Sequence, residues 1–124
     1  MNTAPELLRT YLAGIQSPTE SAALFAPDGV LELPWVGARA QGPAAIERLI
    51  TGLLGKVPGF GFRNIHFWIE TPDRTFAEYD VEAAMAAGGQ VYRQTYTGLL
   101  ISENGKIKVL REFLDTKAAE VLHA

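Results

Sequence analysis

Val91-Tyr92-Arg93-Gln94-Thr95-Tyr96-Thr97-Gly98-Leu99-Leu100-Ile101 and Lys106-Ile107-Lys108-Val109-Leu110-Arg111-Glu112-Phe113-Leu114 are two alternating runs with Asn104-Gly105 between them. Asn-Gly between strand-like runs is the strongest short-range hairpin signal, because both central residues of a type I′ turn need positive φ. A two-residue turn fixes register: with Glu103 facing Lys106, Thr97 lies opposite Glu112. Two further turns extend the rung. Gly88-Gly89 as a two-residue loop sets Asp80 opposite Thr97, and Pro72-Asp73-Arg74 as a three-residue loop sets His66 opposite Asp80. A two-residue loop at Pro72 would instead send His66 to the other face, since the side-chain period is two.

The expected rung is therefore His66, Asp80, Thr97 and Glu112, with opposed Cβ atoms about 4.5–5.5 Å apart. Trp68, Glu78, Leu99 and Leu110 share its face on one side, and Asn64, Glu82, Thr95 and Leu114 on the other. Ile65, Phe67, Ile69, Ala77, Tyr79, Val81, Tyr96, Val109 and Phe113 occupy the opposite face. A polar face of an antiparallel sheet is usually the solvated one. Here, though, the polar face carries a tryptophan and three leucines, and the other face is apolar enough to need cover. Both faces covered implies helices over the rung and a second copy of the chain on the far side, a homodimer through the outer sheet face.

The rest of the chain supplies the helices. Leu7, Leu8, Tyr11, Leu12 and Ile15 recur at helical spacing. Ser17-Pro18-Thr19-Glu20 has the form of a capping box with proline at the first helical position, opening a short helix through Phe25 that Pro27-Asp28-Gly29 stops. Val30 to Val36 reads as a strand. Gly42-Pro43 starts a third helix with Ala45, Ile46, Leu49, Ile50 and Leu53 on its apolar side. Phe62–Glu70 and Phe76–Met85 read as strands, and Thr116–Leu122 as a terminal helix. Helices first and a meander afterwards argue α+β.

The 124 residues suit one domain, 1–124, and 48% hydrophobic with 20% charged residues is ordinary for a globular protein. A net charge of −3 with no basic stripe argues against a nucleic-acid partner. The chain has no cysteine, which excludes disulfide and thiolate chemistry. Met1–Gln16 lacks the form of a signal peptide and no apolar run approaches a membrane span, so a cytoplasmic protein without membrane contact is the expectation. No glycine-rich phosphate loop or serine nucleophile motif is present, and no cofactor is expected.

Leu24-Phe25-Ala26-Pro27-Asp28-Gly29-Val30, Gly42-Pro43-Ala44-Ala45-Ile46, and Asn104-Gly105-Lys106-Ile107 running into Arg111-Glu112-Phe113 together resemble the SnoaL-like group of the nuclear transport factor two-like superfamily. That group includes polyketide cyclases, ketosteroid isomerases and limonene epoxide hydrolase. The stretch from Asn64 through Glu70-Thr71-Pro72-Asp73 to Asp80, with Arg111-Glu112-Phe113, is most similar to the phenazine biosynthesis A/B proteins. The resemblance implies a strongly curved antiparallel sheet, a cone, whose helices enclose a hydrophobic pocket, and dimers formed through the outer sheet face.

By that resemblance, Glu112 stands where phenazine A/B proteins have a catalytic glutamate and the epoxide hydrolase a catalytic aspartate. Asp80 matches the hydrolase's second aspartate, but the arginine between them is replaced by Glu78. Tyr11 stands at an oxyanion-hole tyrosine of ketosteroid isomerases. Their base maps to Leu33, beside Glu32, and their second oxyanion-hole acid to Thr97, so steroid isomerisation by that route is not expected.

The candidate catalytic residues are therefore Glu112, Asp80 and His66. A buried carboxyl has its pKa raised toward working pH, and neighbouring carboxylates push one another apart. Tyr11, Trp35, Trp68, Thr97, Leu99, Leu110 and Leu114 are the candidate ligand-binding residues. His66, Asp80 and Glu112 lack regular metal-ligand spacing, and no metal is expected. The expected function is acid–base chemistry on a small ketone or polyketide-like molecule: isomerisation, cyclisation or condensation. The alternative is a non-catalytic ligand-binding or interaction module on the same fold.

Overall fold

The Asn104-Gly105 turn is present, with φ of 52° and 75° at its two residues, in a computed structural model that describes residues 1–123. It joins strand β5 (Val91–Glu103) to β6 (Lys106–Leu114), numbering strands in chain order. Glu103 faces Lys106 and Ser102 faces Ile107, as the turn requires. The register then shifts by one, and Ile101 faces Val109. The cause is legible in β6 itself. Ile107 and Leu110 are both fully buried, yet they are three residues apart, so an extra residue must bulge out between them. Beyond the bulge Gly98 faces Glu112 and Thr97 faces Phe113. The expected Thr97–Glu112 pair does not form.

The other two hairpins also differ from expectation. The loop after β4 (Arg74–Ala84) is longer than Gly88-Gly89: the Met85 N–H donates to the Gln90 carbonyl at 2.8 Å, and Asp80 faces Thr95 rather than Thr97. At Pro72 the loop has two residues, closed by the Thr71 N–H donating to the Arg74 carbonyl at 2.8 Å. An irregularity in β3 (Arg63–Glu70) between Phe67 and Ile69 then sets His66 opposite Glu78.

The sheet has six strands in the order β2-β1-β6-β5-β4-β3, where β1 is Phe25–Leu33 and β2 is Ala38–Gln41. Only β1 and β6 are parallel. It is open at both edges. Helices α1 (Ala4–Ala13) and α3 (Pro43–Lys56) pack on one face, and α2 (Pro18–Ala23) packs on α3. The architecture is α+β, as the order of elements implies. A 3-10 turn at Pro34–Val36 replaces the expected end of the first strand, β2 is an addition to the expected elements, and the terminal helix is a 3-10 segment, Ala118–His123.

Under the helices lie Ala77, Tyr79 and Val81 of β4, Tyr92, Gln94, Tyr96, Gly98 and Leu100 of β5, and Leu110, Glu112 and Leu114 of β6. The expected faces are thus reversed in β4 and β5 and kept in β6. Tyr79, Val81 and Tyr96, expected at a dimer interface, are core residues exposed by 4% or less. Phe67 pairs with Ala77 on the same covered side, with the Arg9 guanidinium 4.1 Å above its ring. The reason is ordinary: burying tyrosine and valine removes more apolar surface from water than burying Glu78, Asp80, Thr95 and Thr97 would. Among the described residues no helix is long and apolar enough to cross a membrane.

Candidate functional site

A cavity of about 340 Å³ lies between the helices, the covered sheet face and the C-terminal 3-10 segment. Ile15, Leu31, Leu33, Leu49, Leu53, Phe60, Phe62 and Leu114 make most of its wall apolar. Its polar side chains are Tyr11, Tyr96, Glu112, Arg48, Lys56 and His123. Glu112 is the one acid among the residues that line it.

β6 delivers Glu112 to the cavity because the bulge before Leu110 restores inward alternation: Leu110, Glu112 and Leu114 are all 5% exposed or less. The Tyr79 hydroxyl donates to Glu112 Oε2 at 2.5 Å. Gly98, opposite Glu112 on β5, makes room for that hydroxyl; a Cβ there would collide with it. Burial raises the Glu112 carboxyl to about 7, against the opposing pull of the Tyr79 hydrogen bond. Desolvation penalises the charged form more than a single donor restores it.

Tyrosines surround this acid. Burial first, then the charge of Glu112, holds the Tyr11 hydroxyl well above its ordinary range. Tyr79 is raised the same way, with its own hydrogen bond to Glu112 adding to the effect. Tyr96 stacks on Tyr79 with centroids 6.1 Å apart, and its hydroxyl lies 2.8 Å from that of Tyr92. Gln94 donates to Tyr92 at 3.2 Å and to the Asp115 carbonyl at 2.9 Å, which ties the strand end to the C-terminal segment. No buried polar side-chain atom among the described residues is orphaned. The Tyr11 hydroxyl, which has no protein partner among them, therefore opens onto the cavity it lines.

Of the residues expected at the site, Glu112, Tyr11 and Leu114 are brought together at the cavity. Leu110 is fully buried beside Gly98 in the core and does not line it. Asp80 stands on the open face, where Asn64 Nδ2 and Thr95 Oγ1 donate to it at 3.1 and 2.9 Å. It borders a polar groove beside Glu82, which is paired with Arg63 at 2.8 Å and Arg93 at 3.6 Å. His66 is exposed on the same face, packed on Trp68 with centroids 4.1 Å apart. Trp68 is 61% and Trp35 63% exposed, the latter edge-on to Phe113. Thr97 and Leu99 also point to the open face. Among the described residues no three His, Cys, Asp or Glu side chains cluster as metal ligands.

Sequence reasoning misses Tyr79 and Tyr96 by assigning them to the wrong face, and misses Gly98, Phe60 and Phe62 altogether. The signal is the odd spacing of Ile107 and Leu110. Once a bulge is placed there, Glu112 moves beside the Tyr79, Tyr96 and Gly98 alternation.

The model of the SnoaL-like domain family matches residues 12–110. No curated protein matches the chain in sequence. Among solved structures, a protein assigned as a polyketide cyclase from Xanthomonas campestris pv. campestris is 19% identical with a TM-score of 0.85, over 98% of this chain and 96% of that one. A phenazine biosynthesis-related protein from Pseudomonas aeruginosa is 21% identical with a TM-score of 0.82, over 97% and 84%. TerC, co-crystallised with polyporic acid, is 18% identical with a TM-score of 0.80, over 98% of each chain. At such identities these likenesses establish a shared fold, the ketosteroid isomerase-like fold.

Proposed function

The chain belongs to the SnoaL-like domain family, and from that premise we propose that it binds a small, mostly apolar organic molecule with a carbonyl group and acts on it by cofactor-independent acid–base chemistry. The observation that carries this is Glu112: the one acid among the described residues lining a mostly apolar cavity, 4% exposed, with its carboxyl raised to about 7. A group with that pKa holds both protonation states near neutral pH, which is what a proton shuttle needs. As the carboxylate it would take a proton from the carbon next to the carbonyl. The Tyr11 hydroxyl, open to the same space, would donate to the oxygen on which negative charge develops. As the acid, Glu112 would return the proton at a second carbon, giving isomerisation; or the enol carbon would attack a second carbonyl carbon, and Glu112 would give its proton to the oxygen as that C=O π bond opens, giving aldol-type cyclisation or condensation. Tyr79 holds one carboxylate oxygen, so the proton is exchanged at the other. Relatives assigned as polyketide cyclases, and one crystallised with polyporic acid, support this class of ligand.

One observation favours a second function, a non-catalytic binding module. Asp80 and His66, the expected assistants, stand outside the cavity, so neither can share a proton with Glu112 there. Carbon-13 NMR titration with a panel of aryl ketones and quinones separates the two. A Glu112 midpoint near 7 with turnover of a panel member supports the enzyme; a midpoint near the ordinary 4.5 overturns it.

A homodimer through the open face remains part of this proposal, with its composition corrected to Trp35, Phe76, Leu99, Ile101, Val109 and Phe113. Light scattering that finds a monomer at micromolar concentration would remove it.

A further inference from the structure

The chain has seven arginines, and six of them stand within 4.0 Å of a carboxylate: Arg9 on Glu70, Arg39 and Arg111 on Glu32, Arg63 and Arg93 on Glu82, and Arg74 on Asp73. Arg48 is the exception among the described residues, and it lines the cavity. Lys56, two turns further along α3, lines it too. Its ammonium donates to the Leu122 carbonyl at 3.1 Å rather than to an acid. Between them on the same helical stripe is Gly52, exposed, where an added Cβ would project into open space rather than onto a neighbouring element. Glycine in a helix interior is unfavourable, so its presence there leaves a notch that no packing demand explains. Among the described residues the α3 wall of the cavity thus offers two exposed cations without acid partners, flanking an open gap, and the one lining acid, Glu112, is on the sheet wall.

We propose that the ligand is an organic acid whose carboxylate seats in the Gly52 notch between Arg48 and Lys56, with its apolar body in the cavity and its reactive end toward Glu112. This rests on the cavity being the ligand site and adds the charge of the molecule that enters it. Two donors of a guanidinium suit a carboxylate, and the ammonium adds a point charge on the other side. The arrangement also orients the molecule. An anionic group is attracted to α3 and repelled from the Glu112 end whenever that carboxyl is ionised, so the uncharged end is the one presented for proton transfer.

The test uses 2-naphthoate and methyl 2-naphthoate, which share a ring system and differ in charge, titrated calorimetrically into the full chain at low salt. The expected result is that the acid binds about tenfold tighter than the ester, and that 1 M sodium chloride removes most of the difference. Arg48→Ala, which breaks no ion pair among the described residues, should reduce the preference about threefold, in the range of one partly exposed charge pair. Arg48→Ala with Lys56→Ala should bring acid and ester within about twofold, the ester's own affinity holding steady. Gly52→Leu fills the notch with a better helix former, so it should weaken the acid without lowering the melting temperature. Equal binding of acid and ester, or a preference that survives the double substitution, overturns the proposal and leaves the cavity reading standing. If neither compound binds, both fall together.

Discussion

Glu112 and Asp80 are two carboxyls on the strands that flank β5, each directly opposed to a β5 residue, and their environments could hardly differ more. Glu112 faces Gly98, is 4% exposed, has one hydroxyl donor and is raised to about 7. Asp80 faces Thr95, stands on the open side, and accepts from a side-chain amide and a hydroxyl. Neither residue type nor strand position separates them. A single inserted residue in β6 does, because a slip of one exchanges the two faces of a strand. Chemistry on this sheet is therefore a matter of register. A carboxyl is desolvated and raised toward neutral pH only where the pleat turns it toward the helices.

The sharpest way to break that contrast is turnover. Glu112→Gln keeps shape and the hydrogen bond from Tyr79 but removes the titrating proton. On a substrate found by the panel it should lower kcat by about 10²–10⁴-fold, the usual yield of general acid–base catalysis. Asp80→Asn should stay within about twofold. Equal losses in steady-state assays of the two variants would show that burial is not what selects the acid.

A second test needs no substrate. The folded-state pKa of Glu112 lies above its unfolded value, so the native protein holds the proton more tightly. Stability from this group is fully present below about pH 4.5 and is lost as pH rises through about 7. The loss should reach about 3 kcal/mol by pH 8, because each tenfold change in proton affinity is worth about 1.4 kcal/mol. Urea unfolding of the native chain and Glu112→Gln across pH 5–8 should give curves that diverge with rising pH, the variant being flatter. Parallel curves would mean that Glu112 ionises as freely as a surface glutamate.

Gly98 and Thr97 sharpen the comparison on the central strand. At Gly98 a methyl group would overlap the Tyr79 hydroxyl, so Gly98→Ala must push Tyr79 off Glu112. Overpacking of this kind costs about 1–3 kcal/mol. The carboxyl midpoint should also climb further, because the donor that lowers it is lost. Thr97→Ala, one residue away on the open face, should change the melting midpoint little.

Much of this is legible in the sequence and some is not, for physical reasons. The Asn104-Gly105 turn, the three helices, the four C-terminal strands and the α+β class follow from turn chemistry, caps and periodicity. The inward position of Glu112 between Leu110 and Leu114 follows as well. Its partners do not, since register carried straight from the turn takes no account of the bulge that Ile107 and Leu110 together require. In β4 and β5 the ordinary rule that polar faces meet solvent holds after all. Trp68, Leu99, Leu110 and Leu114 on the expected face argue against it, but two of those four, Leu110 and Leu114, belong to the other side. The cavity wall made by Phe60, Phe62 and α3 has no local signal, because it exists only where distant segments meet.

The smallest expected effect tests the open face itself. Asp80→Asn retains an acceptor for Thr95 Oγ1 and loses only charge, in a place where Asn64, in a left-handed conformation at φ 54°, reaches it with its amide. Surface substitutions of this kind fall within about 0.5 kcal/mol, and calorimetry of dilute protein should show no more than that. A loss of about 2 kcal/mol or more would be the magnitude of a buried polar group stripped of its partner. Asp80 could be that deeply desolvated only if a second chain reached beyond the proposed Leu99–Phe113 patch and covered the Thr95 end of the open face as well. Repeating the measurement over a hundredfold range of protein concentration would then separate the two causes. A cost that grows with concentration belongs to an assembled interface, and one that stays fixed belongs to the fold.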